Sequence, residues 1–405
     1  MLTGAFYDKY GNFDNTKFLK LLEEARKMQI KSQLKSGGSS FGKEISLFNK
    51  VSKKELRQFI NKLSIFINSG IDIKGALSIL VKQVKNPFMK KIATEIKNNI
   101  DHGIGINETM RQYPKVFDGL TVSLIDVGEK TGKLGKILAE LDDNLLESIE
   151  LKGKVKGAMI YPVILLSLTL LMVVGMMTFI VPKVTESFKK TGTALPGPTQ
   201  IIVNISDFFI AKWYVIIISI FITIISVKII GKTYIGKISF AKLFVNMPIF
   251  GYVVKQSNIV YFIKSFTILL DSGVLLLDSL KTASTVVPNM LYKKELVRIK
   301  NEVEVGLTIS KSLGLNLDYE EGVYLNKLFS EEFAYVISTG EETGTLSDSL
   351  KKIGGNYNGE LKRYIGNMSS MMEPIIIVIV GVLVGSIIIA VMLPFFEMGS
   401  IAKKM

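Results

Sequence analysis

MIYPVILLSLTLLMVVGMMTFIV, residues Met159–Val181, and IIIVIVGVLVGSIIIAVMLPFF, residues Ile375–Phe396, contain no charged side chain. A helix needs about 20 apolar residues to cross a hydrocarbon core of about 30 Å, and both runs exceed that. Sixteen residues of the second run are Ile, Val, Leu or Phe. At roughly −0.3 to −0.6 kcal/mol each, they favour insertion by about 5–10 kcal/mol. A soluble helix of this length would carry a polar face, and neither run has one. A shorter run, Trp213–Val227, lies between Lys212 and Lys228. Lysine stems can snorkel to the interface, and Trp213 and Tyr214 suit headgroup level. Extended to Phe208–Ile230, this run becomes a third crossing.

Prolines bracket both long runs at one spacing. Pro162 and Pro182 flank the first, Pro374 and Pro394 the second, at an offset of 212 (374 − 162 = 212). The same offset relates VSLIDVGEKTGKL, ending at Leu134, to AYVISTGEETGTL, ending at Leu346. Upstream, LSIFINSGIDIKGALSIL around Gly70 matches FTILLDSGVLLLDSLKTA around Gly273, at an offset of 203 (273 − 70 = 203). An insertion of nine residues (212 − 203 = 9) therefore falls near Leu315–Tyr324. The unit is a water-facing domain followed by a span, used twice. The middle span has no counterpart and returns the chain, so that both copies face the same side.

Each copy reads as helical. Leu56, Phe59, Ile60, Leu63 and Ile67 recur at helical spacing. Ser52 and Glu55 form a capping-box pattern, and Asn86-Pro87 reads as an N-cap followed by proline at the first helical position. Gly70 and Gly273 read as helix stops. The expected fold is an all-α membrane protein with two homologous cytoplasmic helical-bundle domains and three transmembrane helices. The expected divisions are an N-terminal helical segment 1–48, domain 1 at 49–157, span 1 at 158–182 and an extracytoplasmic loop 183–207. Span 2 at 208–230, domain 2 at 231–373, span 3 at 374–397 and a tail 398–405 follow. Within the first segment, Lys17–Lys35 reads as an amphipathic helix with Leu19, Leu22, Ala25 and Met28 on one face.

Gly128-Glu129-Lys-Thr-Gly132-Lys-Leu134 has three residues between its glycines and a leucine where magnesium would need a hydroxyl, so it is not a phosphate loop. The second copy, Gly340-Glu341-Glu-Thr-Gly344-Thr-Leu346, lacks the lysine. Both read as helix–turn–helix corners, with glycine for the turn and threonine to cap the next helix. Glu129 and Glu341 are then solvated turn residues or contacts for a partner. Gly381 and Gly385, spaced GxxxG in the last span, permit close helix approach, to the chain's own spans or to a second copy.

Composition excludes several chemistries. With no cysteine there is no disulfide, thiolate zinc site or iron–sulfur cluster. With one histidine, His102, there is no HExxH site, and a serine–histidine pair would have to use that residue. No cofactor is expected. The net charge of +14 suits anionic headgroups, and the dispersed lysines form no nucleic-acid module. No span has an ionisable residue at its middle, which weighs against the alternative of a small-solute transporter or channel. Met1–Lys20 has no apolar core and reads as no secretory signal. Lys152, Lys154 and Lys156 precede span 1, and Lys228, Lys232, Lys237 and Lys242 lie at and beyond the end of span 2. The loop between these spans has only Lys183, Lys189 and Lys190. This asymmetry places the N-terminus in the cytoplasm.

The duplicated GExTGxL motif, the stretch Lys154-Val-Lys-Gly-Ala-Met-Ile-Tyr161-Pro162 with Pro182 after nineteen residues, and LPGPTQ (Leu195–Gln200) together resemble the F-type platform family of type II secretion and type IV pilus assembly. The second copy departs from the pattern, with Met372-Glu373 before Pro374 and Gly366 at the basic position. The resemblance covers about residues 50–400. It implies two six-helix cytoplasmic domains, residence in the bacterial inner membrane, self-association and no enzymatic activity. The implied partners are a cytoplasmic hexameric assembly ATPase, pilin or pseudopilin subunits and inner-membrane alignment proteins.

Overall fold

The computed structural model describes residues 50–191, 196–316 and 323–402. The expected amphipathic segment Lys17–Lys35 lies outside the described residues. The first bundle has six helices: α1 (Lys53–Asn68), α2 (Ile73–Gln83), α3 (Pro87–Asp101), α4 (Ile106–Arg111), α5 (Gly119–Thr131) and α6 (Leu134–Ala158). The capping box forms at the start of α1: Ser52 Oγ accepts from Glu55 N, and Glu55 Oε2 accepts from Ser52 N at 2.7 Å. That backbone donor, followed by the Asn86 amide, holds the Glu55 carboxyl below its usual range. The apolar face of α1 buries Leu56, Phe59, Ile60 and Leu63. Along the seam with α6, Lys53 meets Ser148, Arg57 meets Asp142 and Ser64 meets Gly135, so the two helices run antiparallel.

Helix α6 runs through Met159 into α7 (Ile160–Gly175), a π-turn (Met176–Ile180) and α8 (Val181–Thr191). Pro182, expected at the exit of span 1, does not end the helix. Proline has no N–H and its ring clashes with the carbonyl four residues back. Here the π-turn widens the ladder just ahead of it, and Val181 N–H reaches Met176 O, five residues back. The stretch 183–207, expected as a loop, is also largely helical. After α8 comes α9 (Gly197–Ala211), begun by Pro198 in its first turn. Thr199 Oγ1 donates to Ala390 O at 2.6 Å and Ser206 Oγ to Met177 O. Met177, Val181, Val203 and Ile387 bury together there. Alternating small hydroxyl and apolar residues thus give this segment a packing face.

The middle span is α10 (Trp213–Ile230), separated from α9 by a break at Lys212. After α11 (Tyr234–Asn246) the second bundle repeats the first: α12 (Phe250–Asp271), α13 (Leu276–Val286), α14 (Met290–Glu304), α15 (Ile309–Ser312), α16 (Glu331–Thr343) and α17 (Leu346–Ala402). Helix α17 passes through Pro374 and Pro394 without interruption and carries the last span. The insertion takes the form of two short antiparallel strands, β1 (Leu315–Asn316) and β2 (Val323–Tyr324), with Leu315 opposite Tyr324. Among the described residues, three helical stretches are long and apolar enough to cross a membrane, Leu134–Phe188, Trp213–Ile230 and Leu346–Phe396, and α11 with α12 would be so only if taken together across their 112° bend.

The bundles pack on each other through α5 and α13. Ser123 Oγ lies 3.5 Å from Thr282 Oγ1, and a Cβ on Gly119 would meet Thr285 Oγ1 at 2.9 Å. Lys264 on α12 pairs with Glu147 on α6. The buried apolar residues of both bundles form one continuous cluster.

Candidate functional site

The two GExTGxL corners occupy equivalent places. Helices α6 and α17 run from them towards the spans, so each corner lies at the membrane-distal end of its bundle. Helix α5 ends at Thr131, with Gly132 left-handed at φ +69°; α16 ends at Thr343, with Gly344 also at φ +69°. A side chain there would cost about 1–2 kcal/mol. The first glycine of each motif serves close approach. A Cβ on Gly128 would lie 3.1 Å from Leu134 Cα, and one on Gly340 3.0 Å from Leu346 Cα.

The expected threonine caps do not form. Thr131 Oγ1 donates back to Val127 O and Thr343 Oγ1 to Thr339 O. The N-cap position of the next helix in the first copy, Lys133, has no side-chain cap, and in the second copy Thr343 Oγ1 lies 2.7 Å from the hydroxyl of Thr345 rather than on a backbone N–H of the next helix.

The glutamates have a role that the sequence did not reveal. Glu129 reaches across its bundle to the start of α4, where Oε1 accepts from Ile106 N at 2.6 Å and Oε2 from Asn107 N at 3.1 Å. Glu341 repeats this at α15, accepting from Ile309 N at 2.6 Å and Ser310 N at 2.9 Å. The N-terminus of a helix presents unpaired N–H groups and partial positive charge. One carboxylate satisfies two of those donors by charge-assisted bonds. Gly105, ahead of α4, offers no side-chain cap of its own. The one available signal was that Glu recurs at the same position of the corner motif in both copies, each time downstream of a short helix.

What each corner leaves exposed differs. In the first copy these are Lys130, Thr131, Gly132 and Lys133; in the second they are Glu342, Thr343, Gly344 and Thr345. Lys130 is turned back on Asp126 at 2.7 Å. The same backbone corner thus shows basic side chains in one copy and an acidic one in the other.

The span residues are less enclosed. Pro162 is buried, whereas a Cβ on Gly381 or Gly385 would meet nothing within 4 Å. Within this chain the GxxxG face packs against no other helix among the described residues. His102 caps the end of α3, exposed, with Nδ1 at 2.7 Å from Asn98 O.

The family model for type II secretion system protein F matches residues 59–182 and 262–394, one match to each bundle with its span. A type IV pilus assembly protein PilC of Pseudomonas aeruginosa is 27% identical over 87% of this chain and 92% of its own length. A PilC of Myxococcus xanthus is 30% identical over 87% of this chain and 82% of its own. A type II secretion system protein F of Vibrio cholerae is 23% identical over 87% and 85%.

Proposed function

The chain belongs to the type II secretion system protein F family, and on that premise we propose that it is the inner-membrane platform of a pilus or secretion machine. It is a multi-pass membrane protein, and its relatives carry the names of assembly and secretion proteins. In the proposed role it has no reaction of its own. It couples a cytoplasmic hexameric assembly ATPase to the extraction of pilin or pseudopilin subunits, beside inner-membrane alignment proteins and further copies of itself.

One observation carries this reading: each bundle's last helix continues into a span without a flexible joint. A push or rotation applied at a membrane-distal corner would pass along about 1.5 Å of helix per residue into the bilayer. The lysines before span 1 and after span 2 support a cytoplasmic N-terminus and cytoplasmic bundles. The contact with the ATPase is assigned to the exposed residues beside Gly132 and Gly344, since the carboxylates of Glu129 and Glu341 are engaged inside their own bundles.

The test is a deletion strain together with capture of the ATPase by the full-length protein in detergent. Loss of filaments or secretion on deletion, with capture weakened by Lys130→Glu/Lys133→Glu, is the expected result. Normal filaments and secretion in the deletion strain would end the proposal.

A further inference from the structure

Helix α11, which precedes the second bundle, leaves large apolar residues uncovered outside the three spans. Ile235 is 77% exposed, Leu243 59% and Phe244 50%. Ala241 and Val245 on its other side are buried against the bundle, where Asn289 Nδ2 donates to Ala241 O at 3.2 Å. At 3.6 residues per turn, Lys237 and Lys242 fall on the two borders between the buried seam and the arc that holds Ile235, Leu243 and Phe244, while Gly236 and Phe240, on the same arc, pack on the end of the middle span. Those two lysines and Lys232 are exposed, and their side chains make no hydrogen bond or ion pair among the described residues. No acidic residue occurs between Asp207 and Asp271.

The direction of α11 is set by a corner. Helices α11 and α12 meet at 112° across Met247-Pro248-Ile249. Ile249 has φ +62° and ψ −56°, Phe250 N–H closes back on Pro248 O at 2.7 Å, and Tyr364 Oη donates to Ile249 O at 3.1 Å. A β-branched residue at positive φ is a true outlier, held only because its surroundings fix it. Helix α12 lies antiparallel along α17: Tyr252 stacks near Tyr364 at one end, and Asp271 accepts from Ser347 at the other. Since α17 continues into the last span, α12 follows the direction of that span and α11 lies across it.

The depth agrees. Ser369 Oγ donates to Ala158 O at 2.8 Å, so Ser369 is level with the foot of span 1. Tyr364 is five residues before Ser369, about 7.5 Å along the helix. That reaches the outer edge of the headgroup layer, which adds about 5–7.5 Å per leaflet to the hydrocarbon core. The other end of α11 joins Ile230, the last residue of the middle span, through three residues.

We propose that α11 is an interfacial anchor. It lies in the headgroup layer of the leaflet facing the bundles, with Ile235, Leu243 and Phe244 in the acyl boundary and Lys232, Lys237 and Lys242 on anionic phospholipid headgroups. A helix with an apolar face rimmed by lysine binds such a surface by buried area and by charge together. The anchor fixes the second bundle against the bilayer at the point where the chain returns from its middle span. The proposal rests on the membrane reading above and on neither the ATPase nor the filament.

The chain has no native cysteine, so Leu243→Cys and Leu275→Cys give single spin-label sites in the full-length protein. Leu275 is 74% exposed at the membrane-distal end of the second bundle and serves as the aqueous reference. In nanodiscs of phosphatidylcholine with phosphatidylglycerol, the ratio of oxygen to nickel-chelate collision rates should exceed one at position 243 and fall below one at 275. Lys237→Gln/Lys242→Gln, which changes only exposed side chains, should shift the value at 243 towards that at 275, and so should pure phosphatidylcholine. A ratio at 243 equal to that at 275 overturns the proposal. Spin–spin broadening at 243 also overturns it, since a second copy would then cover the face. A ratio unchanged by lipid charge removes the anionic headgroups from it. Lipid contact in a chain unable to support filaments would leave the anchor standing and remove the platform role.

Discussion

Replacing Glu129 with alanine removes both acceptors from the start of α4. Its carboxylate takes Ile106 N at 2.6 Å and Asn107 N at 3.1 Å. Hydrogen bonds to a charged group contribute about 1.5–3 kcal/mol each. The two are not independent, because one side chain makes both, and water can reach a half-exposed site. About 3 kcal/mol for the pair is the working figure, lying between one such bond and two. Glutamine keeps one oxygen and turns an amide N–H₂ towards the other donor, so Glu129→Gln should cost about half as much. The readout is hydrogen exchange of the Ile106 and Asn107 amides in the full chain in detergent. A loss of about 3 kcal/mol corresponds to roughly a hundredfold faster exchange. Glu341→Ala should do the same at Ile309 and Ser310, and each variant should leave the other copy's amides unchanged. If Glu129→Ala abolished ATPase capture while exchange at Ile106 and Asn107 stayed the same, the capping account would be wrong and the glutamate would be a partner contact.

Gly128→Ala and Gly340→Ala each place a Cβ about 3 Å from a backbone Cα, and overpacking of that kind costs about 1–3 kcal/mol, visible as a lower thermal midpoint in detergent. Ser52→Ala should cost about 1 kcal/mol at neutral pH through loss of the cap. Because the Glu55 pKa is lowered from its usual 4.5 in the folded chain, the capping box stabilises above that pH and loses its contribution as the pH falls below it. The gap between wild type and Glu55→Gln should therefore narrow on acidification, whereas Ser52→Ala, which keeps the backbone N–H of residue 52 on the Glu55 carboxylate, should hold most of its gap. Gly385→Ile meets no neighbour in its own chain, so the midpoint should move by less than about 0.5 kcal/mol equivalent. Cross-linked dimers in membranes should fall if this face joins copies.

The repeat was legible because helical periodicity, capping residues and paired glycines are local signals, and they recur in both copies. The change of offset from 203 to 212 located an insertion, and the strand pair β1–β2 lies in that interval. Three features were not legible. The glutamate caps join residues 22 to 32 positions apart through backbone N–H groups, and any residue type supplies such a donor. Pro182 reads as a stop unless the π-turn before it is known, and that turn leaves no mark in composition. Segment 183–207 is rich in Thr, Gly and Pro at its centre, which reads as loop, whereas its helices gain their faces from Met177 and Ile387 elsewhere in the chain.

The duplicated frame also shows where the copies have diverged, and the differences share a direction. In the first bundle Arg57 and Asn61 both bind Asp142, whose side chain is 10% exposed, along the α1–α6 seam. At the matching offsets the second bundle has Val260, Lys264 and Gly354. An added Cβ on Gly354 would lie 2.7 Å from Ile263 Cγ2, so close backbone packing replaces the ion cluster. A charge at Lys264 without Asp142's counterpart would be expensive to bury. It turns outwards from its own seam and pairs with Glu147 of the other bundle. One substitution along the seam thus made a polar group available to the joint between copies, while the corners at the far end took opposite charges. The two bundles are joined at their sides by the Lys264–Glu147 pair and the α5–α13 contact, and are distinguishable at their tips, an arrangement that suits the proposed transmission of displacement.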